Sequence, residues 1–160
     1  MTTWQAHVTV ATIIEQDGKF LMVEEYGKEV GRNVLNQPAG HVEAGESIQE
    51  AAIRETLEET SYRVELTDLL GIYTYTPPMD LSRTYYRFCY IAKVVEKTDL
   101  PLDSDIIRTH WMSFAELEQS IDLRSPLILH CIRDYLSGKR LPLDLIDERF
   151  LHPKPLMIRV

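Results

Sequence analysis

Apolar and β-branched residues form two short runs near the start of the chain, with a turn signal between them. Residues 7–14 and 19–23 are rich in the types that favour strands. Asp17-Gly18 lies between the runs, and this pair suits the two positive-φ positions of a tight hairpin turn. The pattern predicts a β-hairpin. The next stretch, residues 26–34, mixes charges with two glycines and is predicted to be a mobile loop.

A helix is predicted after an irregular stretch at residues 36–40. Ser47 and Glu50 have the spacing of a capping box, in which each side chain binds a free backbone N–H of the other residue. Residues 48–59 contain neither glycine nor proline, so nothing interrupts the helix once it has begun.

The rest of the pattern alternates strands with helices. Longer strand-forming runs are followed by two helix starts, the capping-box pair Ser113 with Glu116 and the pair Ser125-Pro126, in which serine is the expected N-cap. The third helix should end at Gly138. Strands are predicted at residues 64–76, 84–95 and 106–112, with a turn at 77–82. This order predicts a mixed α/β (α+β) fold.

Composition limits the possible functions. The chain has 160 residues, the usual size of one domain, and we expect residues 1–160 to form a single domain with a surface tail from about residue 140. A formal net charge of −8 argues against a nucleic-acid partner, because such binding depends on Lys and Arg. We expect no membrane segment and a cytoplasmic location. Cys89 and Cys131 are expected to be free, buried thiols.

Three glutamates share one side of the predicted helix. Each helical residue advances about 100°, so Glu55, Glu58 and Glu59 fall within one arc, with Ile53 and Leu57 predicted on the buried side. Like charges at this spacing destabilise a helix by roughly 0.2–0.5 kcal/mol per pair. A solvated acidic face is one explanation. The other is a divalent cation, since Mg²⁺ is typically held by carboxylates together with substrate phosphates.

The surrounding residues resemble the Nudix box, GX5EX7REUXEEXGU, where U is a bulky aliphatic residue. Six positions fall in register with it: Gly40, Glu46, Arg54, Glu55, Glu58 and Glu59. Two positions depart from it. Thr56 replaces an aliphatic residue, and Ser61 stands where the family has glycine, which would strain the chain by roughly 1 kcal/mol if the backbone is left-handed there.

The resemblance implies a fold, a metal and roles for particular residues. It implies a Nudix fold, a mixed β-sheet sandwiched between helices, and a hydrolase that uses Mg²⁺ or Mn²⁺. Glu55, Glu58, Glu59 and the carbonyl of Gly40 would hold the metal, and Arg54 would position the carboxylates. Attack on phosphorus would come from a metal-activated water. Either Glu55 or Glu58 would accept its proton.

Similarity to bacterial NudJ-type phosphatases extends from about residue 7 to residue 147. It includes the segments 36–41 and 123–127. The resemblance implies a broad small-molecule substrate range that covers nucleoside di- and triphosphates and hydroxymethylpyrimidine diphosphate.

Other residues have both functional and ordinary interpretations. Arg87 could contact a substrate phosphate or be an exposed strand arginine. Tyr73 and Tyr75 could stack on a base or pack in the fold, and Asp103 and Asp105 could assist the metal or be solvated loop residues. Arg87, Tyr75 and Asp105 are taken as candidate substrate contacts.

Two other functions remain open. A Nudix-fold domain that senses a ligand without hydrolysing it is one, although such a domain would be expected to lose metal-binding glutamates. Isomerisation of an isoprenyl diphosphate is the other, and it would require an additional catalytic cysteine or glutamate. Cys89 lies on a predicted strand with no supporting motif.

Overall fold

The computed structural model describes residues 3–151. Within that range the chain forms seven β-strands, three α-helices and one short 3-10 helix. In chain order they are β1 (Gln5–Gln16), β2 (Lys19–Gly27), β3 (Arg32–Asn36), β4 (Ala39–His41), α1 (Ile48–Thr60), β5 (Tyr62–Tyr75), β6 (Arg83–Lys97), β7 (Ile106–Ser113), α2 (Phe114–Gln119), α3 (Leu127–Leu136) and the 3-10 helix Leu143–Leu145.

The strands form one mixed sheet. Its main path runs β3-β2-β1-β6-β5, with β4 added to β1 and β7 added to β2. The pair β1–β6 is parallel, in register from Gln5↔Arg83 to Ile14↔Ala92, and the other pairs are antiparallel. The sheet is therefore continuous from the N-terminal hairpin to the long β5–β6 pair.

Helices cover both faces of the sheet. Successive side chains of a strand point to opposite faces, and β1 alternates accordingly. Val10 and Ile14 pack on the side of α1, whereas Ala11 and Ile13 pack on the side of α3. This arrangement confirms the predicted mixed sheet between helices.

The first hairpin forms as predicted, and the adjoining region differs. Asp17 and Gly18 both have positive φ in the turn, at 51° and 76°. Residues 26–34 were predicted to be a mobile loop, and this extent is wrong, because only residues 28–31 lie between strands. β2 and β3 form a second hairpin there, with five pairs from Val23↔Asn36 to Gly27↔Arg32. Nδ2 of Asn33 on β3 donates to Glu24 on β2 at 2.9 Å, so polar residues of this stretch take part in pairing within a sheet.

The helix ends confirm one predicted cap and contradict another. Both hydrogen bonds of the capping box between Ser47 and Glu50 are present at the start of α1. At α3 the N-cap is Pro126, without a side-chain cap, so the prediction of Ser125 as cap is wrong. The hydroxyl of Ser125 is buried and has no partner among the described residues. α3 ends at Leu136, two residues before Gly138.

The segment after α3 lies against the sheet and α1. Leu141 and Leu69 exchange two backbone hydrogen bonds of 2.8 and 2.9 Å. A carboxylate oxygen of Glu148 accepts the N–H of Ile48 at the start of α1, at 2.8 Å. The predicted surface tail also includes residues 152–160, which lie outside the described residues.

Two further sequence predictions concern the cysteines and the membrane. Cys89 and Cys131 are free and buried, as predicted. In the described part of the chain, no helix combines the length and the apolar character needed to cross a membrane.

Candidate active site

Helix α1 is rotated relative to the sequence prediction. Ile53 was predicted to be buried but is 39% exposed. The hydroxyls of Thr56 and Thr12 lie 2.9 Å apart, so small polar side chains bring the helix close to β1. The buried residues of the helix are Ala51, Ala52, Thr56, Glu59 and Thr60. The rotation turns one of the three glutamates towards the interior.

Glu59 is that buried glutamate. Glu59 is only 8% exposed, and its Oε2 atom accepts a hydrogen bond from the backbone N–H of Ala39 at 2.9 Å. Loss of solvent, together with the negative charges of Glu25, Glu55 and Asp103, raises the pKa of Glu59 to about 9. A charged carboxylate here lacks the compensation that a buried anion normally needs.

Glu55 approaches the backbone of β4. A Cβ added to Gly40 would overlap the carboxylate of Glu55, so only glycine allows this approach. Loss of solvent is the main cause that raises the pKa of Glu55, and Arg54 opposes it. The glycine of the box thus leaves space for a carboxylate beside β4.

Glu58 lies at the rim of the site. Its side chain is 47% exposed. The backbone N–H of Asp103 donates to the carbonyl of Glu58 at 2.8 Å, which fixes the loop after β6 against the helix. Asp103 therefore lies beside the three glutamates, whereas no contact of Asp105 with them is seen in the described structure.

Arg54 links the glutamates to the preceding loop. Nε and Nη2 donate to the two oxygens of Glu46 at 2.6 and 3.0 Å, and Nη2 also donates to the carbonyl of His41 at 3.0 Å. Nη1 donates to Glu55 at 2.9 Å and to Glu58 at 3.1 Å. Arg54 lowers the pKa of Glu46. All the nitrogens of this guanidinium are engaged within the protein, so it positions carboxylates.

The donor set fits a hard divalent cation. Among residues 3–151, no group of three or more acidic, histidine or cysteine side chains is already arranged to hold a metal ion. Mg²⁺ does not require one, because it usually retains several waters and is held by one or two carboxylates plus substrate phosphates. Glu55 and Glu59 are both desolvated, and the charge of Glu55 helps to raise the pKa of Glu59. A bound cation would remove that penalty.

Arg87 lies on the opposite face of the sheet from α1. It pairs with Thr9 on β1 and Tyr73 on β5. It alternates in phase with Cys89, which packs on the α3 side. Arg87 is 9% exposed and donates to Oε1 of Gln37 at 3.1 Å, so the interpretation as an exposed strand arginine is wrong. Nε2 of Gln37 is buried with no partner among the described residues.

The two tyrosines differ in burial. Tyr73 is 7% exposed and its hydroxyl donates to Asp134 on α3 at 2.7 Å, so it packs. Tyr75 is half-buried and lies opposite Tyr85 on β6. Stacking by Tyr75 and substrate contact by Asp105, which is exposed, stay predictions.

Sequence reasoning missed a charged residue that acts on Glu59 and the arginine that is paired with it. Nη1 of Arg124 donates to Oε1 of Glu25 at 2.8 Å, across 99 positions of sequence. Glu25 is the neighbouring charge that most raises the pKa of Glu59. Neither residue belongs to the box, and only the pairing of β2, β3 and the 121–124 segment brings them to the site.

Comparison with known proteins gives consistent results. The NUDIX domain family model matches residues 3–130. The chain is 39% identical over 145 residues to Phosphatase NudJ of Escherichia coli strain K12, covering 91% of this chain and 93% of that protein. A NUDIX hydrolase from Nitrosomonas europaea has a TM-score of 0.83 and 44% identity, covering 89% of this chain and 96% of that chain. The MutT protein from Methanosarcina mazei Go1 shares the fold at 20% identity and a TM-score of 0.70, covering 86% and 98%.

Proposed function

The chain belongs to the Nudix family and is a Nudix hydrolase, and from that premise we propose that it uses Mg²⁺ to hydrolyse a phosphoanhydride in a small molecule. The proposed substrates are nucleoside di- and triphosphates and related diphosphates, hydroxymethylpyrimidine diphosphate among them. The relatives named Phosphatase NudJ support the release of phosphate from a small molecule.

The observation that carries the proposal is the pair of desolvated glutamates on α1. Glu59 is nearly buried and Glu55 fills the space that Gly40 leaves. Such carboxylates are ligands of the kind that Mg²⁺ prefers, and Glu58 at the rim would complete the set together with the carbonyl of Gly40. Bound Mg²⁺ would neutralise phosphate oxygens and lower the pKa of a water that attacks phosphorus.

The remaining roles belong to the protein's own residues. Arg54 fixes Glu55 and Glu58 relative to the loop through its bonds to Glu46 and His41. We propose that a carboxylate oxygen of Glu55 or Glu58 accepts the proton of the attacking water. Arg87, Tyr75 and Asp105 are proposed substrate contacts. Because Arg87 lies on the α3 face, its contact would be with a part of the substrate remote from α1.

The test is a substrate panel with a matched pair of variants. Purified protein is incubated with Mg²⁺ or Mn²⁺ and the proposed substrates, nucleotide sugars and dinucleoside polyphosphates, and inorganic phosphate is measured with and without pyrophosphatase. Glu58→Gln should abolish most activity. Glu50→Gln on the same helix should retain it, because glutamine also serves in a capping box. Ligand binding without any metal-dependent phosphate release would instead support the ligand-sensing domain.

The setting of the reaction is part of the proposal. We propose that residues 1–160 act as one domain in the cytoplasm on a small molecule, without nucleic acid or membrane as partner. Limited proteolysis that cuts the chain into two stable halves would contradict the single domain, and a shift of labelled DNA or RNA at physiological salt would contradict the absence of a nucleic-acid partner.

A further inference from the structure

A short segment before α3 is attached to the end of β3. The N–H of Leu35 donates to the carbonyl of Asp122 at 2.8 Å, and the N–H of Arg124 donates to the carbonyl of Leu35 at 2.9 Å. Leu35 and Leu123 thereby form a parallel bridge. Arg32 adds a side-chain bond to the carbonyl of Ile121 at 2.9 Å. The backbone of Arg124 is held by the sheet on one side and by the start of α3 on the other.

The Arg124 side chain points to Glu25. Nη1 donates to Oε1 of Glu25 at 2.8 Å, and the side chains are 47% and 17% exposed, respectively. Among the described residues, no other acceptor binds this guanidinium. Nε and Nη2 therefore remain available for a ligand, and the exposed half of the side chain is open to solvent.

Glu25 connects this arginine to the glutamates of α1. β2 alternates so that Leu21 packs under α1, and Glu25 has the same phase. Its charge acts on Glu59 more strongly than that of Glu55 does. Arg124 is thus the counter-charge at the edge of a group of carboxylates.

The arginines near the sheet differ in whether their guanidinium N–H groups are free to bind a ligand. Arg54 is saturated by Glu46, Glu55, Glu58 and a carbonyl. Arg87 lies on the other face and is 9% exposed. Arg124 binds Glu25, whose charge acts on Glu59, and its Nε and Nη2 atoms have no acceptor among the described residues. In a chain of net charge −8, a polyanionic substrate needs such a cation in addition to a metal.

We propose that Arg124 binds a phosphate group of the substrate, and that Glu25 holds its guanidinium in place for that contact. The inference rests on the proposed function. A planar guanidinium can offer two parallel N–H groups to phosphate oxygens, a geometry that lysine cannot reproduce. The alternative is an ordinary surface ion pair, which typically contributes little.

The first experiment measures binding without turnover. Isothermal calorimetry with methylenediphosphonate, which cannot be hydrolysed, and Mg²⁺ compares the wild type with Arg124→Ala and Arg124→Lys. Arg124→Ala should weaken binding roughly 10- to 100-fold, the effect of one hydrogen-bonded charge, with Arg124→Lys in between. Arg133→Ala is the matched control, because Arg133 pairs with Glu118 at similar exposure on α3. Equal binding by Arg124→Ala and wild type, or no binding by wild type, would overturn the proposal.

Kinetics separate this proposal from the proposed function. If the panel identifies a substrate, Arg124→Ala should raise KM by the same factor and change kcat less. Weaker diphosphonate binding in a protein that hydrolyses nothing would sustain the phosphate contact while the proposed function fails. An unchanged KM of Arg124→Ala in an active enzyme would contradict the phosphate contact and leave the proposed function intact.

The role of Glu25 is tested by a double-mutant cycle. Because Glu25 acts through Arg124, Glu25→Gln should raise KM less than Arg124→Ala does and should add nothing to it in the double variant. Additive effects would show that Glu25 does not act by positioning Arg124. Thermal unfolding of each variant verifies that the fold is retained.

Discussion

Two nearly buried carboxylates, Glu24 and Glu59, have opposite surroundings. Glu24 lies on β2 with its side chain 12% exposed, and it accepts from Arg108 at 2.7 Å and from Asn33 at 2.9 Å, with Nε2 of His110 also 2.7 Å away. These partners lower its pKa to about 2. Glu59 has one backbone N–H and several negative neighbours, and its pKa is raised to about 9.

The difference shows that this fold can compensate a buried carboxylate where stability is the only requirement. Three side chains converge on Glu24 from β3 and β7. The charges that act on Glu59 are those of further acids, and Arg54 and Arg124 bind other carboxylates. An ionised carboxylate at this position is costly without a cation, which is why the pKa of Glu59 is raised, and we interpret the retention of a glutamate here as a functional requirement.

The largest expected effect is on catalysis. Glu59→Gln should lower metal-dependent hydrolysis by more than roughly 100-fold, because loss of a direct ligand should exceed the 10- to 100-fold effect of an outer hydrogen-bonding partner. Glu24→Gln should retain the activity per folded molecule. Initial rates at saturating Mg²⁺ measure both. Equal losses in the two variants would mean that the contrast between the carboxylates has no catalytic meaning.

The next effect is on stability in the presence of metal. A ligand at 100 times its Kd stabilises the native state by about 2.7 kcal/mol, which for a chain of this length raises Tm by roughly 5–10 °C. We expect Mg²⁺ to do this for the wild type and for Glu24→Gln, and much less for Glu59→Gln. Calorimetric scans with Mg²⁺ or with EDTA measure the shift, and identical shifts in all three proteins would argue against Glu59 as a ligand.

Glu24 should produce a smaller effect that depends on pH. Its folded-state pKa lies below the ordinary value of 4.5, so its bonds stabilise the protein above about pH 4.5 and are lost as the pH falls towards 2. Glu24→Gln should therefore lower the free energy of unfolding at pH 7 by about 2 kcal/mol. The difference in the free energy of unfolding between wild type and Glu24→Gln should disappear in acid. Urea titrations across this pH range measure the difference, and a constant difference would contradict the assignment.

The smallest effect concerns the end of α1. It tests whether backbone strain there, as well as burial of Glu59, lowers the stability of this region. Ser61 has φ of 61°, and its hydroxyl donates to the carbonyl of Leu100. Ser61→Gly relieves about 1 kcal/mol of strain and loses about as much hydrogen bonding, so the net change should be within about 0.5 kcal/mol. Ser61→Ala keeps the strain and should lose about 1 kcal/mol. Urea unfolding distinguishes the two variants. A large increase in the free energy of unfolding of Ser61→Gly would show that backbone strain at the end of α1 destabilises the protein.

Local signals predicted the elements well where the chemistry is local. The capping box of Ser47 and Glu50 located the start of α1, and Asp17-Gly18 located the first hairpin. The left-handed backbone at Ser61 also agrees with the expectation raised by the missing glycine. In each case residues a few positions apart decide the conformation, so the sequence alone is enough to predict it.

Long-range packing decided what the sequence could not show. The periodicity of α1 predicted Ile53 to be buried, but contact with β1 and β4 buries Thr56 and Glu59 instead. The face occupied by Arg87 depends on the parallel register with β1, and the pairing of Glu25 with Arg124 spans 99 positions. No local pattern specifies such contacts, because they form only when distant segments share the sheet.

The parallel pairing of β1 with β6 has a consequence for synthesis and folding. Its first pair joins Gln5 to Arg83, which are 78 positions apart (83 − 5). At about 5–20 residues per second, a ribosome needs several seconds to complete that span, and most of β1 has no parallel partner until then. Such distant closure favours folding in the range of milliseconds to seconds. The nascent N-terminal strand is therefore the part of this chain that we expect to depend most on chaperones.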